Sequence, residues 1–177
     1  MAEGGVRPRR EQDGLIRSVR VVWSCVFALG VCAVALAAIA QGALSIPRFV
    51  SLRSNEVNVR TGPGMQYPVV WVFVRAGLPV EVVATFDVWR KVRDIDGVEG
   101  WVHQNLLSGD RYGIIVGEVR TLTRTPTNVQ PVAMAEPGVI ARVLECVGAY
   151  CRLDVEGHRG WLLREEIWGV YPNETFD

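Results

Sequence analysis

The 177-residue sequence predicts an all-β protein in which two similar halves follow an apolar N-terminal segment. Two observations predict this architecture. From residue 57 the chain consists of short, mostly alternating apolar and polar runs that glycine, proline and Asp-Gly turns separate. Short strands at intervals of about 8–12 residues are typical of a small barrel or sandwich. The residues after 120 then repeat the spacing of aromatic residues and glycines, which indicates a second, diverged half.

The N-terminal part of the sequence, up to Ala40, predicts export of the rest of the chain. Residues 1–20 are polar, carry five arginines against three acidic residues, and are expected to be a disordered cytoplasmic region. Residues 21–40 are uncharged and lack proline, and about 20 such residues can cross a bilayer as a helix. The small residues at 38–40 favour a cleaved signal peptide, whereas the length of the apolar run favours a retained signal anchor. Either alternative predicts a periplasmic protein, free or anchored to the inner membrane.

The charge of the exported part indicates the class of partner. The chain has 19 basic and 19 acidic residues, of which five basic and three acidic ones lie in residues 1–40. The exported part therefore has 14 basic and 16 acidic residues. Nucleic-acid binding needs a basic patch that displaces counterions, and none stands out in this sequence. We therefore expect no nucleic-acid partner.

The first half is predicted to span residues 48–110 and to form a small five-stranded barrel. Residues 41–52 are a spacer that leads into a strand near 48–52, and Thr-Gly-Pro-Gly at 61–64 forms a turn. Asp96-Gly97 predicts a tight hairpin, and residues 104–107 predict a single 3₁₀ turn. The five strands are expected at 57–60, 69–74, 80–84, 89–93 and 100–103.

The second half is predicted to span residues 113–173 and to follow the same plan. The interval between Trp89 and Trp101 recurs, shorter by a single position, between Tyr150 and Trp161. The counterpart of the Thr-Gly-Pro-Gly turn has lost its glycines. Residues 168–172 are expected to pack as a C-terminal cap.

Cys146 and Cys151 are predicted to form a disulfide. They flank four residues between two predicted antiparallel strands, so they would face each other, and bridging requires Cα atoms within about 7 Å. The exported compartment is oxidising. A metal site would need more ligands, and the two histidines, His103 and His158, lie in no ligand cluster. We expect no metal and no cofactor.

The motifs of the two halves carry a family resemblance. The stretch VNVRTGPGMQYPVV, followed by W…KV, an Asp-Gly turn and GWVH…L, resembles bacterial Src homology 3 (SH3) domains. The exported part as a whole resembles exported bacterial proteins with tandem SH3-like domains, whose second domain carries a C…YC or C…WC hairpin and a WGVYP-like ending. The resemblance covers roughly residues 48–173. It implies two five-stranded, partly open SH3-like barrels that bind cell-wall peptides or proteins.

Three aromatic residues are predicted to bind the ligand: Tyr67, Trp71 and Trp89. Tyr67 closes the loop that helps to line the peptide groove in eukaryotic SH3 domains, and aromatic side chains suit peptide and sugar sites because they combine rigid apolar area with a polar edge. The alternative for Trp89, and for Trp101, is packing in the barrel. The alternative for the loop is plain turn chemistry, in which Gly62 and Gly64 allow positive φ and Pro63 fixes φ at about −65°.

No catalytic residues are predicted. A cysteine nucleophile needs a depressed pKa and a positioned base, and disulfide-bonded cysteines cannot serve. No phosphate-binding loop or nucleotide fingerprint occurs in the sequence. We therefore expect a non-catalytic envelope module that recognises peptidoglycan or its stem peptides. The alternative is a protein–protein adaptor of the envelope.

Overall fold

The computed structural model describes residues 45–175. The predicted disordered region (1–20) and the predicted export helix (21–40) lie outside the described residues. Within residues 45–175, no helix has both the length and the apolar character that a membrane crossing requires.

The described residues form two antiparallel sheets of seven strands each. The strands of the first sheet are β1 (Arg48–Leu52), β2 (Val57–Arg60), β3 (Val69–Phe73), β4 (Pro79–Phe86), β5 (Trp89–Arg93), β6 (Glu99–His103) and β7 (Leu107–Ser108). The strands of the second sheet are β8 (Tyr112–Ile115), β9 (Arg120–Thr125), β10 (Asn128–Ala135), β11 (Ile140–Val147), β12 (Tyr150–Val155), β13 (His158–Leu163) and β14 (Ile167–Trp168). A 3₁₀ turn precedes the last strand of each sheet, at Gln104–Leu106 and at Arg164–Glu166.

The two sheets have the same strand order, which confirms the predicted repeat. The order is β3-β2-β6-β5-β4-β1-β7 in the first sheet and β10-β9-β13-β12-β11-β8-β14 in the second. The lead-in strand predicted near 48–52 is confirmed as β1. The strands that were not predicted are β8, the lead-in strand of the second half, and the two-residue strands β7 and β14 that pair with the lead-in strands. Two residues are too few to show an alternating pattern. Closure of each sheet into a barrel, and the boundaries at 110 and 113, stay predictions.

Each sheet buries an apolar core of its own because alternate strand residues point to the same side. The first core is formed by Val50, Leu52, Val57, Val59, Phe73, Val80, Val82, Val92, Val102 and Leu107. The second core is formed by Ile115, Leu122, Ala135, Ala141, Val143, Cys146, Cys151, Leu153, Leu162 and Ile167. Complete burial of a valine or leucine side chain stabilises the fold by about 1.5–3 kcal/mol, so these residues dominate the stability of each half.

The predicted disulfide is confirmed. Cys146 and Cys151 are register partners on β11 and β12, their Cα atoms are 4.1 Å apart, and both side chains are buried in the second core. The turn between them is possible because Gly148 adopts φ 56°, a conformation that is open to glycine.

The C-terminal segment, defined as residues 168–175, connects the second sheet to the first. The Trp168 ring packs edge-on against Phe49 of β1, with centroids 5.0 Å apart, and the Tyr171 ring lies 4.8 Å from Phe49. The Tyr171 hydroxyl donates a hydrogen bond of 2.7 Å to the carboxylate of Glu81 on β4. The prediction that residues 168–172 pack as a cap is therefore confirmed.

Candidate ligand-binding surface

The loop of residues 61–68 between β2 and β3, called the 61–68 loop here, is held closed by an arginine. The Arg60 guanidinium donates from Nη1 to the carbonyl oxygens of Met65 (3.2 Å) and Tyr67 (2.7 Å). The backbone N–H of Thr61 donates to the carbonyl oxygen of Pro68 at 3.1 Å. Because hydrogen bonds from a charged donor are among the stronger ones, Arg60 fixes the backbone that carries the Tyr67 side chain.

The glycines of the 61–68 loop serve close packing. A Cβ atom at Gly62 would lie 2.5 Å from the Tyr67 ring, and one at Gly64 would lie 2.3 Å from the Gln66 side chain. Neither glycine is among those with positive φ, so the expectation that they are needed for positive φ was wrong. Gly62 is needed because the Tyr67 ring lies against it, whereas the contact at Gly64 is with the end of a flexible Gln66 side chain that can move aside.

Tyr67 and Trp71 both present surface to solvent. Tyr67 is 39% exposed although its ring covers Gly62, and Trp71 is 54% exposed on β3. Met65, at the tip of the loop, is also exposed. The loop and the start of β3 therefore form an apolar, partly aromatic surface on a backbone with defined hydrogen bonds.

Trp89 does not belong to this exposed surface, which corrects its prediction as the open aromatic floor of a groove. It is only 7% exposed and packs edge-on against the ring of its register partner His103, with centroids 5.4 Å apart. The His103 Nδ1 atom accepts a hydrogen bond of 3.2 Å from the backbone N–H of Asn105 at the start of the 3₁₀ turn. The His103 ring therefore helps to bury Trp89.

Trp101 lies between two basic residues. Register partners share a face of an antiparallel sheet, and Trp101 pairs with Lys91 on one side and with Arg60 on the other. Lys91 and Arg93 both bind the carboxylate of Glu99, at 2.5 and 2.7 Å. These hydrogen bonds, from Lys91 first and Arg93 second, lower the pKa of Glu99. Trp101 itself is half-buried. It is therefore neither fully packed in the barrel nor fully exposed to a ligand, which were the two alternatives predicted for it.

The second sheet lacks a counterpart of the 61–68 loop. Its strands β9 and β10 are joined by only two residues, Pro126 and Thr127, whereas eight residues join β2 and β3. Trp161 lies between Arg152 and Thr123, as Trp101 lies between its two register partners in the first sheet. No aromatic loop lies beside Trp161. The candidate surface is therefore a feature of the first sheet.

The role of Arg60 could not be predicted, because its bonds to carbonyl oxygens five and seven residues away follow no local pattern. The exposure of Val69, Val70 and Val72 beside Trp71 could not be predicted either, because a strand without polar residues usually indicates burial on both faces. Among residues 45–175 no group of three or more His, Cys, Asp or Glu side chains could hold a metal ion.

A family model for the bacterial SH3 domain matches residues 53–109 and 122–169. The chain belongs to the bacterial SH3 domain family. The two matched segments fall on the two sheets and confirm the resemblance to tandem SH3-like proteins. Bacterial SH3 domains are typically cell-wall binding modules and occur in cell-envelope proteins.

Similar solved structures include NlpC2 and NlpC1 from Trichomonas vaginalis. NlpC2 is 13% identical at a TM-score of 0.33, and the match covers 76% of this chain and 52% of NlpC2. NlpC1 is 14% identical at a TM-score of 0.33, with 72% of this chain and 48% of NlpC1 covered. The bacterial SH3 chain thus spans about half the length of either protein. A search of curated proteins finds no match.

Proposed function

We propose that this bacterial SH3 protein is a non-catalytic binding module of the cell wall, and that its first SH3 domain recognises peptidoglycan or its stem peptides. One observation carries the proposal: Tyr67 and Trp71 are exposed beside a loop that Arg60 and Gly62 keep in one conformation. A preordered aromatic surface loses little conformational entropy when it binds. The cell-wall ligand is the one that is typical of the family.

The chemistry of the surface suits a ligand with apolar and anionic parts. Aromatic faces offer rigid apolar area to sugar rings and to aliphatic side chains. Arg60 lies on the same face as Trp101 and binds carbonyl oxygens, so its charge favours a ligand with carboxylates, as stem peptides have. The charge of Lys91 on this face is instead neutralised by Glu99. We place this module in the periplasm, on the strength of the export segment predicted at residues 21–40.

The test is co-sedimentation of residues 45–177 with purified peptidoglycan sacculi at several salt concentrations. These residues form a compact unit, and both cores lie inside it. We expect saturable binding that Tyr67→Ala and Trp71→Ala each weaken about tenfold, which corresponds to about 1.4 kcal/mol. Val129→Ala removes an exposed apolar residue of the second sheet and serves as the matched control. Absence of binding, or equal binding by all four proteins, would refute the proposal.

A second candidate function is a protein–protein adaptor in the envelope. It is favoured by the apolar surface of β3, which continues beyond the aromatic residues through Val72 and Val74. Proteins recognise such strands by adding a strand of their own. Crosslinking in cells would support this function if it captured one envelope protein in stoichiometric amount while the sacculi bound nothing.

A further inference from the structure

Ser51 is a buried polar residue whose hydroxyl no contact within the fold explains. Among residues 45–175, the buried polar side chains are those of Ser51, which is 1% exposed, and Arg164, which is 7% exposed. Arg164 donates to three carbonyl oxygens, whereas no hydrogen bond within this part of the chain involves the Ser51 hydroxyl. A hydroxyl that is removed from bulk water without a partner destabilises a protein. We therefore expect this serine to have a role other than stabilising the fold.

The position of Ser51 on β1 places it at the junction of the two sheets. Alternate residues of a strand share a face, and Val50 and Leu52 belong to the first core. Phe49 and Ser51 therefore point away from that core. The rings of the C-terminal segment cover Phe49. Ser51, two residues further along the same face, lies instead at a cavity.

This cavity, called the junction cavity here, lies between β1, the turn before β4 and the connection from β7 to β8. It has a volume of about 370 Å³, within the range of roughly 300–1,000 Å³ that is typical of small-molecule sites, which often occur between domains. Solvent reaches the Ser51 hydroxyl, and since the residue is otherwise buried, this hydroxyl faces the cavity. Most of the lining is polar or aromatic and includes Ser51, Arg53, Gly77, Ser108, Asp110 and Tyr112.

Several groups of the junction cavity are held in place before any ligand binds. Ser108 is the register partner of Ser51. Its hydroxyl donates a hydrogen bond of 2.7 Å to the carboxylate of Asp110 and accepts one of 3.2 Å from the Asp110 backbone N–H. The Tyr112 ring lies against the turn before β4, because a Cβ atom at Gly77 would be 3.4 Å from it. The cavity therefore presents ordered hydroxyl, carboxylate and aromatic groups.

The charges of the junction cavity disfavour an ion as its ligand. Arg53 carries a positive charge and donates from Nη2 to the carbonyl oxygen of Leu107 at 3.2 Å. Asp110 carries a negative charge, and one of its oxygens lies 3.9 Å from the guanidinium of Arg142. Asp110 would repel a phosphate or carboxylate, and Arg53 would repel a cation. A neutral ligand with hydroxyl groups suits both residues, because a hydroxyl both donates and accepts.

The aromatic wall narrows the ligand to a sugar. The Tyr112 ring offers rigid apolar area to the C–H groups of a sugar ring, while the serine hydroxyls and the Asp110 carboxylate suit its hydroxyl groups. A zwitterionic amino acid is the other ligand without net charge. It would depend on ion pairs with Arg53 and Asp110, and both residues are exposed, where ion pairs contribute little.

We propose that the junction cavity binds one ring of a neutral pyranose sugar, and that the Ser51 hydroxyl forms a hydrogen bond with it. The cavity shares no residue with the candidate surface of Tyr67 and Trp71, so the proposal does not rest on cell-wall binding by the 61–68 loop. A sugar in this position contacts β1 of the first sheet and Tyr112 of the second. Its binding should therefore stabilise the folded protein as its concentration rises.

The first test is an NMR titration of ¹⁵N-labelled residues 45–177 with glucose and with N-acetylglucosamine. We expect the backbone amide signals of Ser51, Gly77 and Ser108 to shift in a saturable manner with at least one of the two sugars. The signals of Tyr67 and Trp71 should stay in place. Glycine and inorganic phosphate, which represent a zwitterion and an anion, should leave all these signals unchanged.

The second test separates a binding role of Ser51 from a structural one. Ser51→Ala should raise the dissociation constant of the sugar roughly threefold to tenfold, the effect of one neutral hydrogen bond. Its thermal unfolding temperature without sugar should be equal to or above that of the unmodified chain, because the hydroxyl has no protein partner to lose. The matched control is Ser54→Ala, three residues along, where the hydroxyl donates to the carbonyl oxygen of Glu56 outside the cavity. It should bind the sugar as the unmodified chain does.

Four outcomes would overturn the proposal. No shift with either sugar would show that the cavity binds neither of them. Shifts confined to the 61–68 loop would place the sugar on the candidate surface instead. Shifts at the cavity with glycine or phosphate, but not with a sugar, would show that the ligand class is wrong. A Ser51→Ala variant that binds sugar normally and unfolds at a lower temperature would assign the serine to the fold. None of these outcomes bears on sacculus binding, which Tyr67→Ala and Trp71→Ala test separately.

Discussion

Replacement of Arg164 should detach the C-terminal segment from the second sheet. Arg164 begins the second 3₁₀ turn and is only 7% exposed. Its guanidinium donates to the carbonyl oxygen of Gly148 from Nε and Nη2 (3.2 and 3.0 Å), and from Nη1 to those of Tyr171 (2.6 Å) and Glu174 (2.7 Å). One side chain therefore connects the disulfide hairpin to the segment that contacts the first sheet.

The size of the effect follows from the acceptors that lose their donor. Arg164→Met keeps the apolar length of the side chain and removes its hydrogen bonds to three carbonyl groups, of which that of Tyr171 keeps a bond of 3.2 Å from the backbone N–H of Glu174. A buried polar group without a partner costs about 1–3 kcal/mol, but Gly148 is exposed to water, and the other two residues are partly buried. We therefore expect a loss of about 2–4 kcal/mol in the free energy of unfolding. Arg164→Lys should lose roughly half of this, because an ammonium group cannot reproduce the planar arrangement of donors.

Urea denaturation followed by tryptophan fluorescence measures this loss, and Trp168 reports on the C-terminal segment directly. The matched control is Gln104→Met, since Gln104 begins the equivalent 3₁₀ turn of the first sheet but is exposed. It should change the free energy of unfolding by less than about 0.5 kcal/mol. If Arg164→Met lowered stability by no more than Gln104→Met does, the assignment of Arg164 as the connecting residue would be refuted.

Three further predictions concern the disulfide, the contact between the sheets and the loop. The double variant Cys146→Ser/Cys151→Ser should lower the free energy of unfolding by about 2 kcal/mol, the value for a short closed loop in the chain-entropy model. Burial, and then the hydrogen bond to a carboxylate, raise the pKa of Tyr171 above its usual 10. The neutral phenol is thus favoured in the folded state, and this contribution is present below pH 10 and lost as pH rises through the raised pKa. Tyr171→Phe should remove that alkaline loss. Gly62→Ala should displace the Tyr67 ring, cost about 1–3 kcal/mol and weaken sacculus binding.

Each of these predictions has its own control. Dithiothreitol should destabilise the unmodified chain but not the double serine variant, and an equal effect on both would contradict the first. A stability curve of Tyr171→Phe that fell in alkali as steeply as that of the unmodified chain would contradict the second. Gly109→Ala is the control for the third, because a Cβ atom at Gly109 would meet nothing within 4 Å. Equal stability and binding of the two alanine variants would show that the contact with Tyr67 is unimportant.

Much of the fold could be predicted because its signals are local. The Asp96-Gly97 hairpin has Gly97 at φ 82°, as an Asp-Gly turn requires. The cysteines could be paired because two residues that bracket a four-residue connection between antiparallel strands face each other, as Cys146 and Cys151 do. The repeat could be found because two matched spacings ended in Trp101 and Trp161, which occupy the same strand of each sheet.

The features that escaped prediction depend on contacts between distant residues. The sequence LREE gives no sign that Arg164 is buried, because its acceptors lie on the C-terminal segment and in the turn at Gly148. Trp89 is a similar case. Both Trp89 and Tyr67 are aromatic residues with one polar group, and the sequence does not tell them apart. In the structure the ring of His103 covers Trp89, whereas Tyr67 stays partly exposed.

The two halves depart from their shared plan in different places, the first at its surface and the second in its interior. This difference indicates that the first half binds a ligand and the second half adds stability. In the first sheet the residues that depart from the shared plan lie at the surface, in the 61–68 loop and along β3. In the second sheet they lie inside, where the disulfide joins β11 to β12 and the buried Arg164 stands in the position of the exposed Gln104. The Trp168 ring and the Tyr171 hydroxyl of the C-terminal segment contact β1 and β4 of the first sheet. Because β1 and β4 lie at the far side of the sheet from β3 in strand order, the second domain can stabilise the first without covering its candidate surface. We therefore expect variants of the C-terminal segment to lower stability while the affinity of the folded protein for its ligand stays the same.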